Sequence, residues 1–146
     1  MKFQNSTIYN AGETTELGGI AVDTSYIYVA DLTYGRILKF TNDGKAVAKW
    51  GFNGRGEGQF NYPHGIAVDS TGNIYVADTD NHRIQKFSND GKFIAKWGRR
   101  GSKDGEFSFP KGIAVDTSGS VYVSDAGNHR IQVFKAVSEA ETATDV

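Results

Sequence analysis

The chain contains no cysteine, which excludes disulfides, thiolate metal ligands and thiol nucleophiles and leaves the redox compartment unread. Proline is scarce, with two residues in 146. Neither sign of charge dominates: sixteen Lys and Arg stand against seventeen Asp and Glu, a formal net charge of −1. That balance argues against a blanket polycation for nucleic acid, while leaving a one-sided patch open. No apolar run approaches the roughly 20 residues of a membrane span. Met1-Lys2-Phe3-Gln4 leads into polar residues, so no signal-peptide core is expected and no compartment is assigned. What the chain does have is glycine and aromatic residues: eighteen Gly, nine Phe and seven Tyr. With hydrophobic content of 38%, this is the profile of a turn-rich, all-β globular chain.

Repetition dominates the pattern, and it has to be settled before any local reading. Gly65-Ile66-Ala67-Val68-Asp69 returns as Gly112-Ile113-Ala114-Val115-Asp116, a shift of 47 (113 − 66). The same pentapeptide stands earlier as Gly19-Ile20-Ala21-Val22-Asp23. Asp31, Asp78 and Asp125 keep the 47-residue spacing, as do Arg36, Arg83 and Arg130, and Phe40, Phe87 and Phe134. Trp50-Gly51 recurs as Trp97-Gly98. Each unit holds four short apolar runs, in the second unit Ile66–Val68, Ile74–Ala77, Ile84–Phe87 and Phe93–Trp97. Their β-branched and aromatic content and their length predict strands. Ser70-Thr71-Gly72-Asn73 and Asn89-Asp90-Gly91-Lys92 supply the Asx and Gly of tight hairpins. Runs apolar on both faces fit a sheet sandwiched between two neighbours. The unit is a four-stranded antiparallel blade, and the fold class is an all-β propeller with three blades per chain.

Phe60-Asn61-Tyr62-Pro63-His64-Gly65-Ile66-Ala67-Val68-Asp69, Asn73-Ile74-Tyr75-Val76-Ala77-Asp78 and Asn81-His82-Arg83-Ile84-Gln85, with Asn128-His129-Arg130-Ile131, closely resemble the NHL repeat. The first unit is degenerate, with Thr33-Tyr34-Gly35-Arg36 where the others carry Asn-His-Arg. The predicted organisation is three NHL blades over residues 1–135, repeats at about 18–51, 64–98 and 111–134, and a polar tail at 136–146. The resemblance implies a binding or scaffolding module, because NHL relatives include protein-interaction, sensor and RNA-binding domains.

Propellers close with roughly four to eight blades, so three leave two sheet faces bare. The ends of the chain suggest a remedy. Thr7–Gly12 aligns with Phe93–Gly98, the outermost strand of a blade, whereas the last unit stops after its third strand at Phe134. Two copies, head to tail, would close a six-bladed ring with each Thr7–Gly12 strand completing its partner's third blade. A piece cut from a longer propeller is the competing reading. Self-association is therefore the expected partnership, with a protein or peptide ligand next and RNA less favoured.

Loops after the second and fourth strands share one face, which gathers Gly51–His64, Gly98–Lys111, Asp78–Arg83 and Asp125–Arg130. The candidate ligand-binding residues there are Tyr62, His64, Arg83, Arg99, Arg100, Lys111 and Arg130. Basic side chains interleaved with aromatics can stack and pair a single-stranded polymer. Against this, Glu57, Asp104 and Glu106 cancel much of the charge, and the Phe-x-Phe/Tyr-Pro pattern fits loop packing. Arg83 and Arg130 also read as structural partners of Asp78 and Asp125, and His82 and His129 as lying over the following loop. The opposite face, with its short turns, is expected to be plain. His64 is peculiar to the second blade. Here the chain resembles the peptidyl-hydroxyglycine amidating lyases, which hold zinc near the propeller axis, but Lys111 at the equivalent position would repel a cation. No catalytic residue, metal or cofactor is predicted. Asp78-Thr79-Asp80-Asn81 lacks the remainder of a calcium loop, and Gly54–Gly58 lacks the helix that a phosphate loop requires. The readings from other classes are an RNA-binding domain, a metal-dependent lyase at the channel mouth, and an isolated or engineered half-propeller without activity.

Overall fold

The computed structural model describes residues 1–5 and 7–137. Most of the expected tail, 136–146, lies outside them. Among the described residues, eleven strands form three antiparallel sheets, each pairing consecutive strands. The first holds β1 (Leu17–Val22), β2 (Tyr26–Asp31), β3 (Arg36–Thr41) and β4 (Ala46–Trp50). The second holds β5 (Pro63–Val68), β6 (Ile74–Asp78), β7 (Arg83–Phe87) and β8 (Phe93–Trp97). The third has three strands, β9 (Pro110–Val115), β10 (Val121–Asp125) and β11 (Arg130–Phe134). Pairing registers repeat from blade to blade: Asp31 faces Arg36, Asp78 faces Arg83 and Asp125 faces Arg130. The Asp-to-Arg connections of the second and third blades are single 3-10 turns, Thr79–Asn81 and Ala126–Asn128, that end on left-handed His82 and His129. Sequence periodicity is blind to so short a helix.

The core lies between blades. Tyr28, Ala30 and Ile37 of the first blade meet Ile66, Ile74, Val76 and Phe87 of the second. Tyr75, Ala77 and Ile84 of the second meet Val121 and Val123 of the third, with Ile113 and Phe134 packed alongside. Successive strand residues point to opposite faces, so burial reads out which face has a neighbour. Every residue of β6 is buried, whereas β10 alternates buried and exposed along its length. The uncovered face of the third blade leaves Tyr122, Ile131 and Val133 exposed, and the uncovered face of the first leaves Ile20 and Val22 exposed.

Glycine lets the inner strands crowd together. A Cβ on Gly65 would lie 2.1 Å from the carbonyl oxygen of Lys111, so only a residue without one admits β9 there. The matching Gly112 meets no atom of another blade, its nearest neighbour being Ser124 of its own sheet.

Thr7–Gly12 forms no strand within the chain. It lies along the outer face of the first blade, where Tyr9 and Ala11 pack on Val29, Leu38 and Phe40. The Tyr9 hydroxyl donates to the Asn42 carbonyl at 2.6 Å. Gly12, at φ 86°, has the same left-handed backbone as Gly51 and Gly98, at 97° and 99°, which follow β4 and β8. The segment thus sits on the first blade much as β4 sits on the second.

Candidate binding surface

The face carrying the long loops is built on one knot per blade. In the second blade the buried Asp78 carboxylate accepts from the Asn61 amide at 2.7 Å, Asn81 at 3.0 Å, Arg83 Nε at 2.7 Å and Gln85 at 3.2 Å. The remaining guanidinium nitrogens of Arg83 donate to the carbonyls of Arg55, Gly56 and Gln59 at 2.8–3.0 Å. The third blade repeats this around Asp125, with the Ser108 amide, Asn128, Arg130 and Gln132. In the first blade the connecting loop is seven residues shorter, and side chains take over: Thr15 donates to Asp31, and Glu13 pairs with Arg36. Burial pushes the Asp125 and Asp31 carboxyls up, but their donors outweigh it and hold both below the usual range. At Asp78, walled in by the third blade, burial wins and the carboxyl is raised. Arg83 and Arg130, candidate ligand contacts from sequence, are thereby placed inside the architecture, with Arg83 buried and Arg130 partly open.

The innermost part of the face is different. Tyr62 and Phe109 immediately precede the equivalent inner strands β5 and β9, and both have left-handed backbones, at φ 57° and 50°. A bulky residue in that region is strained, and such strain gathers at functional sites. Phe109 is held by its amide, which donates to His82 Nδ1 at 3.0 Å, and its ring meets His82 edge-on at 4.6 Å. His82 therefore lies over the following loop, as its repetition led us to expect. Its pKa is lowered by burial and by Arg100, which keeps Nδ1 free to accept. The Tyr62 ring stands edge-on to His64 at 5.1 Å, and its hydroxyl donates to both Glu16 oxygens at 2.8 and 2.9 Å. That hydrogen bond raises the Tyr62 pKa. Together Tyr62, His64, Asp80, Phe109 and Lys111 line an open cavity of about 520 Å³.

A second depression, of about 560 Å³, lies between Arg55, Asp80, His82, Lys96, Arg99 and Arg100. Asp80 borders both. Arg99 pairs with Glu106 at 2.9 Å while staying largely exposed, and Lys96 lies 4.0 Å from Glu57. Of the sequence candidates, Tyr62, His64 and Lys111 thus share one cavity, and Arg83, Arg99 and Arg100 share the other. Phe109 and His82 were missed as site residues. The signal was available for Phe109, which repeats Tyr62 at the same 47-residue spacing, but its positive φ is not visible in sequence.

The opposite face is not plain. Its short turns surround a cavity of about 660 Å³ lined by residues including Asp23, Thr24, Asp69, Thr71, Asp116 and Thr117. The carboxylates there are engaged: Asp69 accepts from the amides of Thr71 and Asn73 and from the Tyr75 hydroxyl at 2.9–3.0 Å. Among the described residues, no group of three His, Asp or Glu is placed to hold a metal ion.

The family model of the NHL repeat matches residues 60–87 and 107–134. No curated protein matches the chain. Solved structures do. An auxiliary nutrient binding protein from Bacteroides thetaiotaomicron superposes with a TM-score of 0.63 at 17% identity, over 82% of this chain and 37% of that one. Virginiamycin B lyase from Staphylococcus aureus gives 0.59 at 12% identity, over 86% of this chain and 43% of the lyase. A structural genomics protein from Bacteroides thetaiotaomicron gives 0.61 at 19% identity, over 75% and 32%. The chain spans roughly a third to two-fifths of these structures' own lengths. At such identities the likeness carries the fold alone, which is propeller-like. The repeat motifs add to that likeness: residues 60–87 and 107–134 match the NHL repeat, so the chain carries NHL repeats at those two places.

Proposed function

We propose that this chain is a non-catalytic binding module that recognises a protein or peptide segment at the inner mouth of its long-loop face. The observation that carries the reading is the pair Tyr62 and Phe109, strained in backbone and presented beside His64 and Lys111 around one open cavity. Aromatic rings held rigidly at a concave surface bury much area at little entropic cost, the usual chemistry of recognition hot spots. A peptide array probed with the wild-type chain and with a Tyr62→Ala/Phe109→Ala double variant tests it. Selective retention that the double variant loses is expected; retention indifferent to both rings would remove the proposal.

The recognising form in this reading is a six-bladed ring of two copies. Each junction inside the chain sets a Tyr, a small residue and an Ile against an Ile, a β-branched pair and a Phe. Tyr122, Ser124 and Ile131 repeat the first half of that pattern on the bare third blade. Ile20, Ile27, Val29 and Phe40 repeat the second half on the first blade. Among the described residues β11 has an open edge and Thr7–Gly12 has no strand partner, so exchanging the segment would satisfy both. Light scattering at micromolar concentration should give twice the chain mass, and Ile131→Glu should halve it. A wild-type monomer defeats ring closure by two copies.

RNA is the second reading, favoured by the exposed Arg99 and Arg100 with Arg55 and Lys96 around the outer depression. It predicts retention that falls steeply with salt. The lyase reading is weaker, since Lys111 shares the cavity with His64 and its cation opposes a metal ion.

A further inference from the structure

The repeat makes each blade a control for the others, and in the long loops the control isolates arginines that the fold does not employ. Residues 51–62 and 98–109 follow one backbone path. Each loop closes on an isolated bridge, Asn53 with Phe60 and Arg100 with Phe107. The Phe60 amide donates to the Phe52 carbonyl at 3.0 Å, and the Phe107 amide to the Arg99 carbonyl at 2.8 Å. Asn81 and Asn128 donate to the carbonyls of Gly54 and Gly101, both at 2.8 Å. The same bonds thus hold both loops, yet Arg99-Arg100 stands in one where Phe52-Asn53 stands in the other. Asn53 has a structural duty, donating to the Thr33 carbonyl of the first blade at 3.3 Å. Arg100, in its place, forms no ion pair among the described residues, and neither does Arg55, whose counterpart is Ser102. Both arginines are exposed.

The two converge on the depression of about 560 Å³, which Lys96 and Arg99 also line. Asp80 is the one carboxylate among its described lining residues. The ion pairs of the other two cations are weak in water: Lys96 is 4.0 Å from Glu57, and Arg99 is 80% exposed where it meets Glu106. Arg83, also on the wall, is spent on Asp78 and three carbonyls. Four cations around one carboxylate create a positive potential that a bound anion relieves. A phosphoryl group suits it, with a charge of about −1.5 to −2 and acceptor oxygens that a guanidinium bonds in pairs. A long nucleic-acid backbone suits it less, because Glu57 and Glu106 stand beside the basic residues and interrupt a continuous track.

We propose that this depression binds the phosphorylated side chain of a protein or peptide segment, with Arg55 and Arg100 as the principal contacts and Lys96 and Arg99 supporting them. The inference rests on the reading of the neighbouring aromatic cavity as a peptide site. Asp80 borders both cavities, so one extended segment reaches from the Tyr62 and Phe109 rings to the arginines.

Fluorescence anisotropy on the whole chain tests the assignment. The probes are labelled heptapeptide pools randomised around a central phosphoserine, phosphothreonine or phosphotyrosine, and the same pools unphosphorylated. The phosphorylated pools should bind at least about tenfold tighter. Arg55→Ala and Arg100→Ala should each lower that ratio, and the double variant should abolish it. Lys103→Ala removes an exposed cation outside the depression and should leave the ratio unchanged. Tyr62→Ala/Phe109→Ala should weaken both kinds of pool and preserve their ratio, which separates this inference from the peptide reading itself. Equal binding of phosphorylated and unphosphorylated pools, or a ratio that the arginine variants do not lower, overturns the site. Inorganic phosphate competing as well as the pools would make this a free-anion site and overturn the phosphorylated segment. So would an oligouridylate that binds through Arg55 and Arg100 while the phosphorylated pools show no preference, which would give the depression to nucleic acid.

Discussion

Replacing Arg83 by alanine tests whether the repeated Asp–Arg pair is architecture. The side chain is 9% exposed and its partner carboxylate 0% exposed. It donates to Asp78 and to the carbonyls of Arg55, Gly56 and Gln59. Alanine removes the one cation beside a buried carboxylate and leaves three loop carbonyls to find other donors. Losing one member of a buried ion pair costs about 3–5 kcal/mol, a large part of the roughly 5–15 kcal/mol that holds a domain together. For a chain of this length, that lowers the melting temperature by roughly 10 °C. Arg130 bonds Asp125 and two loop carbonyls, those of Lys103 and Glu106, with a side chain 28% exposed and no following blade among the described residues. Water can replace part of what it supplies, so Arg130→Ala should cost about 1–2 kcal/mol. Urea unfolding of both variants, followed by circular dichroism and intrinsic fluorescence, measures the two costs. An Arg83→Ala penalty under about 1 kcal/mol, or one no larger than that of Arg130→Ala, would refute the argument that burial makes this pair structural.

Two further outcomes follow from the junctions and the carboxylates. Gly65→Ala puts a Cβ at 2.1 Å from a backbone oxygen of the next blade; the inner strands must separate, and a loss of about 1–3 kcal/mol is expected by thermal unfolding. Acid should also destabilise the chain. The Asp31 and Asp125 carboxyls are held below their ordinary value of 3.8, so their contribution is present above that pH and is lost as the pH falls through the lowered values. Unfolding free energy measured from pH 6 downward should therefore decline chiefly below about pH 4, and Asp125→Asn should flatten the decline.

The strands were legible because they are repeated. One copy of Ile-Tyr-Val-Ala is an ambiguous apolar run, but two copies and the variant Val121-Tyr122-Val123-Ser124, flanked by turn residues at a 47-residue spacing, read as the same strand of three blades. Asp78 and Arg83 were readable as a pair for the same reason. The site was less legible, since what distinguishes Tyr62 and Phe109 is a backbone angle that no composition records. Their Phe-x-Tyr and Phe-x-Phe context also looks like packing, and Phe60 and Phe107, two residues earlier, are indeed fully buried. The cavity on the opposite face escaped because short turns can still enclose space when three of them converge.

Blade faces that differ only in whether a neighbour covers them have a consequence for how such chains change over generations. A duplicated unit inherits both halves of a fitted junction at once, so a new blade arrives with its contacts already matched to its parent. Each half then drifts at a rate set by its own confinement. Ala77, enclosed, is small and apolar like Ala30, while Ser124 on the uncovered face carries a hydroxyl that bonds only within its own sheet. On that argument, differences among copies should concentrate on the blade faces that lack a neighbour.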